Sequence, residues 1–190
     1  MTKLEIYNIA LSQHGKKCTK EELESQNPPT EVEACNTMYE LAISGVLGEN
    51  DWSFFLTQIE LDFDDDEPAG NWTHGFYMPG NVARIAKISA KHKPYLIAGN
   101  RFYTNEDAPK DLWGIKWSAL QMEAAPRDIC YLVGLWLGYL VSTTLSPSDN
   151  NLANRILQNY SAQLSSVMRR EYASSQDNYL DPEDWSAKQA

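Results

Sequence analysis

Apolar positions recur with two different periods along the chain, and the changes of period divide it into three parts. Near the N-terminus Leu4, Ile6, Tyr7, Ile9, Ala10 and Leu11 fall at helical spacing. Thr2 and Glu5 before them form a capping box, in which each side chain satisfies a backbone N–H that the first turn leaves without a partner. Gly15 offers a left-handed C-cap. Residues 16–29 are charged and end in Asn27-Pro28-Pro29, which reads as a loop. A second helix is expected from Thr30 as N-cap, with Glu33 three residues on. Its stripe is Val32, Cys35, Met38, Tyr39, Leu41, Ala42 and Val46, and Gly48 ends it.

The middle of the chain changes to a period of two. Gln58-Ile59-Glu60-Leu61-Asp62-Phe63 alternates polar and apolar residues, the pattern of a half-buried strand. Asp64 to Asn71 is acidic, contains Pro68 and Gly70, and reads as a turn or exposed loop. Short apolar runs follow at Val82–Ile88 and Tyr95–Ala98. Gly99-Asn100 is expected to be a tight turn into Arg101-Phe102-Tyr103-Thr104. Residues 52–118 therefore predict several short strands in a small sheet or sandwich.

Helical spacing returns after Pro126, a residue suited to the first helical position. Ile129, Leu132, Val133, Trp136, Leu137 and Leu140 form a broad apolar face, which places Trp136 in the core. Gly134 and Gly138 stand four residues apart, where the lack of a side chain lets another backbone come close. Ser146-Pro147-Ser148-Asp149 breaks and recaps the chain. A fourth helix with Leu152, Ile156, Leu157, Tyr160, Leu164, Val167 and Met168 on its stripe is expected to run to about Ala173. Arg169 and Arg170 suit the negative end of its dipole. After Ser174 the periodicity stops, yet Tyr179, Leu180 and Trp185 remain, and free tails seldom carry such large apolar groups.

The predicted fold class is α+β: a bundle of about four helices with a β-rich insertion, a small sheet or sandwich, between the second and third helices. A chain of 190 residues suits one domain with a single core. Residues 1–175 are read as that domain, with a helical body of 1–50 and 122–175 and a β-rich module of 51–121; residues 176–190 are a C-terminal tail.

Charge and chemistry narrow the function mainly by exclusion. The net charge is -10, and the nearest approach to a basic cluster is Lys87, Lys91, His92 and Lys93. Tight nucleic-acid binding needs clustered Lys and Arg, so it is not expected. Cys18, Cys35 and Cys130 are odd in number and outside metal-ligand spacing, which reads as reduced thiols in a reducing compartment. The N-terminal run lacks the basic and apolar regions of a secretory signal, and Ile129–Val141 is too short to span a bilayer.

Asp62, Asp64 and Asp66 have the spacing of the first ligands of an EF-hand loop. The loop's glycine position holds Glu67, however, and its closing glutamate position holds Thr73. His14, His74 and His92 lie in three separate segments, and no phosphate loop, nucleophile elbow or Cys-His motif is present. With 26 acidic residues, chance carboxylate pairs are inevitable and identify no glycosidase site. No catalytic residue, metal site or cofactor is assigned. The six Trp and ten Tyr point instead to a core and to interfaces, where large aromatics contribute most.

The order of these features resembles the head-to-tail adaptor proteins of short-tailed bacteriophages, the group of tail tubular protein A and related tail accessory and head completion proteins. The likeness runs over about residues 4–175. Its marks are a first helix leading into Gly15, then a helix carrying Glu33-Ala34-Cys35-Asn36 that ends before Asp51-Trp52-Ser53-Phe54. The aromatic stretch Trp72–Tyr77 follows, and Met78-Pro79-Gly80-Asn81-Val82-Ala83-Arg84 is similar to the family's Leu-Pro-Asp-x-Leu-Arg-type segment. Arg101-Phe102-Tyr103-Thr104-Asn105-Glu106-Asp107 is similar to the strand and acidic turn before the family's last helices. Gly80-Asn81 in place of the acidic residue after Pro, and Ala83 within the apolar run, depart from the pattern.

The resemblance implies a homo-oligomeric ring of about twelve subunits with heterologous contacts. Such a ring sits in the virion at the portal–tail junction, after synthesis in the host cytoplasm. It binds the portal protein above and a tail nozzle, tail tubular protein B-like or tail fibre protein below, and DNA passes through its lumen without specific binding. On that reading Tyr172, Tyr179, Leu180 and Trp185 are expected to meet the portal. Trp72, Phe76, Tyr77 and Trp113 are expected at subunit or tail interfaces. Two other readings stand beside it: a virion-associated cell-wall hydrolase, and a small acidic monomer that binds one host factor.

Overall fold

The computed structural model describes residues 1–66, 68, 70–88, 94–105 and 112–178. The chain is mixed α+β, with seven α-helices and two small antiparallel sheets among those residues. It divides into two compact units. One joins residues 1–46 to the segment from Glu123 onward; the other is Leu47–Met122. None of the described helices is long and apolar enough to cross a membrane.

The helical unit is organised around its glycines. Helix α1 (Lys3–Ser12) opens with the Thr2–Glu5 capping box, and the bond from Thr2 holds the Glu5 carboxyl below its usual range. Gly15 follows at φ +67, and the Lys16 N–H donates to the Leu11 carbonyl, closing the helix in the left-handed manner expected. The segment read as loop contains a four-residue helix, α2 (Lys20–Leu23), with its own Thr19–Glu22 capping box. Helix α3 (Thr30–Gly48) begins at Thr30 itself, because the Pro29 carbonyl already accepts from Val32 and Glu33. A short α4 (Ala119–Ala124) leads to α5 (Arg127–Leu140), which Pro126 precedes as N-cap.

Helix α1 packs on α5, and α5 packs on α7 (Asn150–Asn178), so the main helix contacts join the two ends of the chain across the insertion. A Cβ added at Gly134 would lie 2.7 Å from Ile9, and one at Gly138 would lie 3.2 Å from the Ala10 carbonyl; only glycine admits this approach. Helix α3 joins through Tyr7, whose hydroxyl donates to Asn36 Oδ1 at 2.8 Å and whose ring meets Tyr39 edge-on. Leu41, expected on the buried stripe, is exposed. Its neighbours Ala42 and Ile43 turn inward instead.

A short α6 (Ser142–Leu145) fills the break after α5. The Asp149 carboxylate then accepts from the Leu152 N–H and starts α7. His14 ties the end of α1 to this corner, with Nε2 2.9 Å from the Gly138 carbonyl and Nδ1 3.1 Å from Ser146 Oγ. Helix α7 continues to Asn178, past the expected end near Ala173. Loss of apolar periodicity ends a buried stripe but does not end the backbone ladder.

The β-rich unit has two facing sheets. β1 (Leu56–Gln58), β7 (Leu112–Lys116) and β4 (Val82–Ile88) form one, in the order β1-β7-β4. β2 (Asp62–Asp64), β3 (His74–Tyr77), β6 (Arg101–Thr104) and β5 (Tyr95–Ala98) form the other, in the order β2-β3-β6-β5. Ile59, Phe76, Phe102 and Leu112 make the core between them, with Leu61, Met78, Val82 and Ile85 around it.

The alternating run 58–63 is therefore not one strand. β1 ends at Gln58, the Ile59 N–H bonds the Leu112 carbonyl, and the chain crosses to the other sheet before Asp62. Alternation reports which side faces the core, and both sheets share one core, so the period survives the crossing. β4, β5 and β6 fall on the expected residues, and Gly99-Asn100 makes the two-residue β5–β6 turn with Gly99 at φ +62.

Candidate functional site

Four aromatic residues were expected at interfaces, and the strand registers place them separately. Phe76 is not at a surface: it is 5 % exposed, in the sandwich core, because it lies across from Phe102 and faces the second sheet. Tyr77, one residue on, points to the outer face of the four-stranded sheet. Trp113 follows the core residue Leu112 and so lies on the outer face of the three-stranded sheet, on the opposite side of the sandwich. Trp72 is half-buried in the turn before β3. In the helical unit Tyr172 on α7 is 66 % exposed. Tyr179, Leu180 and Trp185 lie outside the described residues.

Behind Tyr77 stands a charged network that local patterning did not reveal. The outer face of the four-stranded sheet carries the cross-strand row Asp62, Tyr77, Arg101 and Ala98, with Asp64, Gly75, Tyr103 and Leu96 in the next row of that face. Arg101 Nε lies 3.0 Å from Asp64 Oδ2, and its Nη2 lies 2.6 Å from Asp66 Oδ2. Nη2 also donates to the Tyr77 hydroxyl, and the guanidinium sits over the Tyr77 ring. Asp64 was read as the start of an exposed acidic loop; it is 3 % exposed and the last residue of β2.

A carboxylate is buried there because Arg101 and the Asp66 N–H both bond it. Hydrogen bonds to Tyr103, Tyr77 and Asp66 push the already basic guanidinium further up. The network pins the chain after β2 onto the sheet.

The more open feature is the rim of the same sheet. Four strands face three, so core-side residues at the outer strands lack a cover. Phe63 on β2 is 57 % exposed although it shares the core face with Phe76. At the other edge Tyr95 and Ile97 are 47 % and 39 % exposed on that face, and Leu96 is exposed on the other. All four residues of β5 are open to solvent. One signal was legible: Tyr95-Leu96-Ile97-Ala98 has no polar position in alternation, which fits a strand buried on both faces or one awaiting a partner.

Elsewhere the reactive side chains are withdrawn. Cys18, Cys35 and Cys130 are all buried. Burial pushes the Cys35 thiol up to about 12 and raises the other two, so none is a ready thiolate near neutral pH. Among the described residues no cluster of His, Cys, Asp and Glu could hold a metal ion. In comparisons with known proteins the chain matches no family model and no curated sequence.

Proposed function

We propose that the chain is a structural subunit of an adaptor ring, joining the capsid portal of a short-tailed bacteriophage to the tail and lining part of the DNA channel. The observation that carries the reading furthest is the set of large apolar side chains left in water on both compact units: Leu41 and Tyr172 on the helical unit, and Phe63, Tyr95, Ile97 and Trp113 on the β-rich unit. Exposed apolar residues that cluster, as Tyr95, Leu96 and Ile97 do on β5, mark interaction surfaces. A ring of heterologous contacts requires two different faces on each subunit, and partners above and below require more. The net charge of -10 suits a lumen through which DNA slides, since like charge repels phosphates within a screening length of about 8 Å.

The test is particle mass, by native mass spectrometry and electron microscopy, with and without isolated portal rings of the same phage. Closed rings seated on the portal are expected. A monomer that fails to co-sediment with portals would remove this reading in favour of the host-factor-binding protein. Clearing of a purified peptidoglycan suspension would favour the hydrolase.

A further inference from the structure

The four-stranded sheet ends in two edges of unlike character, and each supplies what the other lacks. β5 is an apolar edge without charge, exposed on both faces, with no strand against its open side among the described residues. Its backbone donors and acceptors on that side are a ready template for another extended strand. β2 is the opposite edge, and its exposed Phe63 lies on the same face of the sheet as Tyr95 and Ile97. The three-stranded sheet is guarded differently, because β4 at its edge carries two register shifts and Arg84.

We infer that β5 of one copy pairs with β2 of the next, extending the four-stranded sheet from subunit to subunit. Strand direction agrees with this. Every neighbouring pair in β2-β3-β6-β5 is antiparallel, so β2 and β5 run in opposite senses. A second copy placed beside the first in the same orientation continues the antiparallel pattern and keeps the faces in register. Phe63 of the second copy then covers Tyr95 and Ile97, where aromatic and β-branched cross-strand pairs are favourable.

Charge works against a competitor. Two β2 edges paired antiparallel about Phe63 would set Asp62 of each copy against Asp64 of the other, whereas β5 has no charge. The contact joins unlike edges and so repeats, as a ring or filament requires. Closure into a ring rests on the adaptor reading; the pairing itself rests on the sheet.

Cysteine cross-linking of the purified full chain at high concentration tests the pairing without any other protein. Positions 63 and 97 are three strand spacings apart within one sheet, about 14 Å, too far for a disulfide in one molecule. The doubly substituted chains Phe63→Cys/Ile97→Cys and Phe63→Cys/Tyr95→Cys, one for each strand alignment, should give a ladder of covalent multimers under mild oxidation. Each single substitution and the unsubstituted chain should not. Ile97→Lys, a change at a half-open position, should abolish self-association while leaving the thermal midpoint of the monomer in place. Covalent dimers from Ile97→Cys or Tyr95→Cys alone would mean β5–β5 pairing and overturn the proposal. Absence of a ladder from both double variants would overturn it too, even if rings form on portals; a ladder without portal binding would retain the pairing and remove the adaptor reading.

Discussion

Gly134 of α5 lies so close to Ile9 of α1 that a single added methyl group would stand 2.7 Å from both Ile9 Cβ and Cγ2. Gly134→Ala must therefore push two helices apart, because the obstructing atoms are next to the backbone. Overpacking of this kind costs about 1–3 kcal/mol, and the better helix preference of alanine offsets about 1 kcal/mol of it. A net loss of up to about 2 kcal/mol is expected in urea unfolding. Gly48→Ala is the control: no atom lies within 4 Å of its added Cβ, and a neutral or slightly stabilising change is expected there. If both variants behave alike, the α1–α5 contact is looser than described.

Trp136 is only half-buried, but its ring lies against Tyr139 and Tyr160 at centroid distances of 5.0 and 4.9 Å and covers Gly45 of α3. It thus links α3, α5 and α7. Trp136→Ala is expected to cost about 3 kcal/mol, the lower end for aromatic truncation, since part of the ring already meets water. A thermal midpoint within a degree or so of the parent would show that the ring contributes little.

Arg101 and Asp64 offer a double-mutant test of a buried charge. Arg101→Ala leaves the Asp64 carboxylate enclosed without its cation, and should lower the urea midpoint more than Asp66→Ala, whose carboxylate is largely exposed. Asp64→Asn made on top of Arg101→Ala should recover stability, because it removes the stranded charge. Additive losses from the two changes would mean that Asp64 is not buried as a carboxylate.

Alkaline pH should unfold the helical unit by a defined route. Burial raises Tyr39 from 10.0 to about 12 and Cys35 from 9.0 to about 12, and raises Tyr7 further still. These groups favour the native state fully below their unfolded values. As pH rises the unfolded chain ionises first, so their contribution declines between pH 9 and 12 and is gone above the folded values. The urea midpoint followed by helical circular dichroism should fall across that window, with tyrosinate absorbance appearing together with helix loss. Tyr7→Phe should flatten the fall. A midpoint constant through the window would contradict the burial of these groups.

Local chemistry was readable wherever a residue acts on its own neighbours. The Thr2–Glu5 box, the left-handed Gly15, the Asp149 cap and the Gly99-Asn100 turn each depend on a few consecutive residues. Helix α2 could have been found in the same way, for Thr19 and Glu22 repeat the Thr2–Glu5 pattern. The small residues of α5 announced a close neighbour, but only the packing identified it as α1.

The rim of the sandwich shows where that reach ends. Periodicity along β2 marks Phe63 as core-facing, and the strand registers place Ile97 of β5 on the same face. Whether they are covered depends on how many strands the opposite sheet contains, which is a property of distant segments. The same holds for Phe76, given to an interface by its aromatic surroundings and buried by β6 and the facing sheet, and for Asp64, given to a loop by its acidic run and buried by Arg101 thirty-seven residues later. By itself the sequence determined the four long helices, three of the seven described strands and the α+β class, because caps, turns and periods are short-range effects. Tertiary structure alone decided which apolar side chains remain in water, because burial is a sum over neighbours that the chain brings together only on folding.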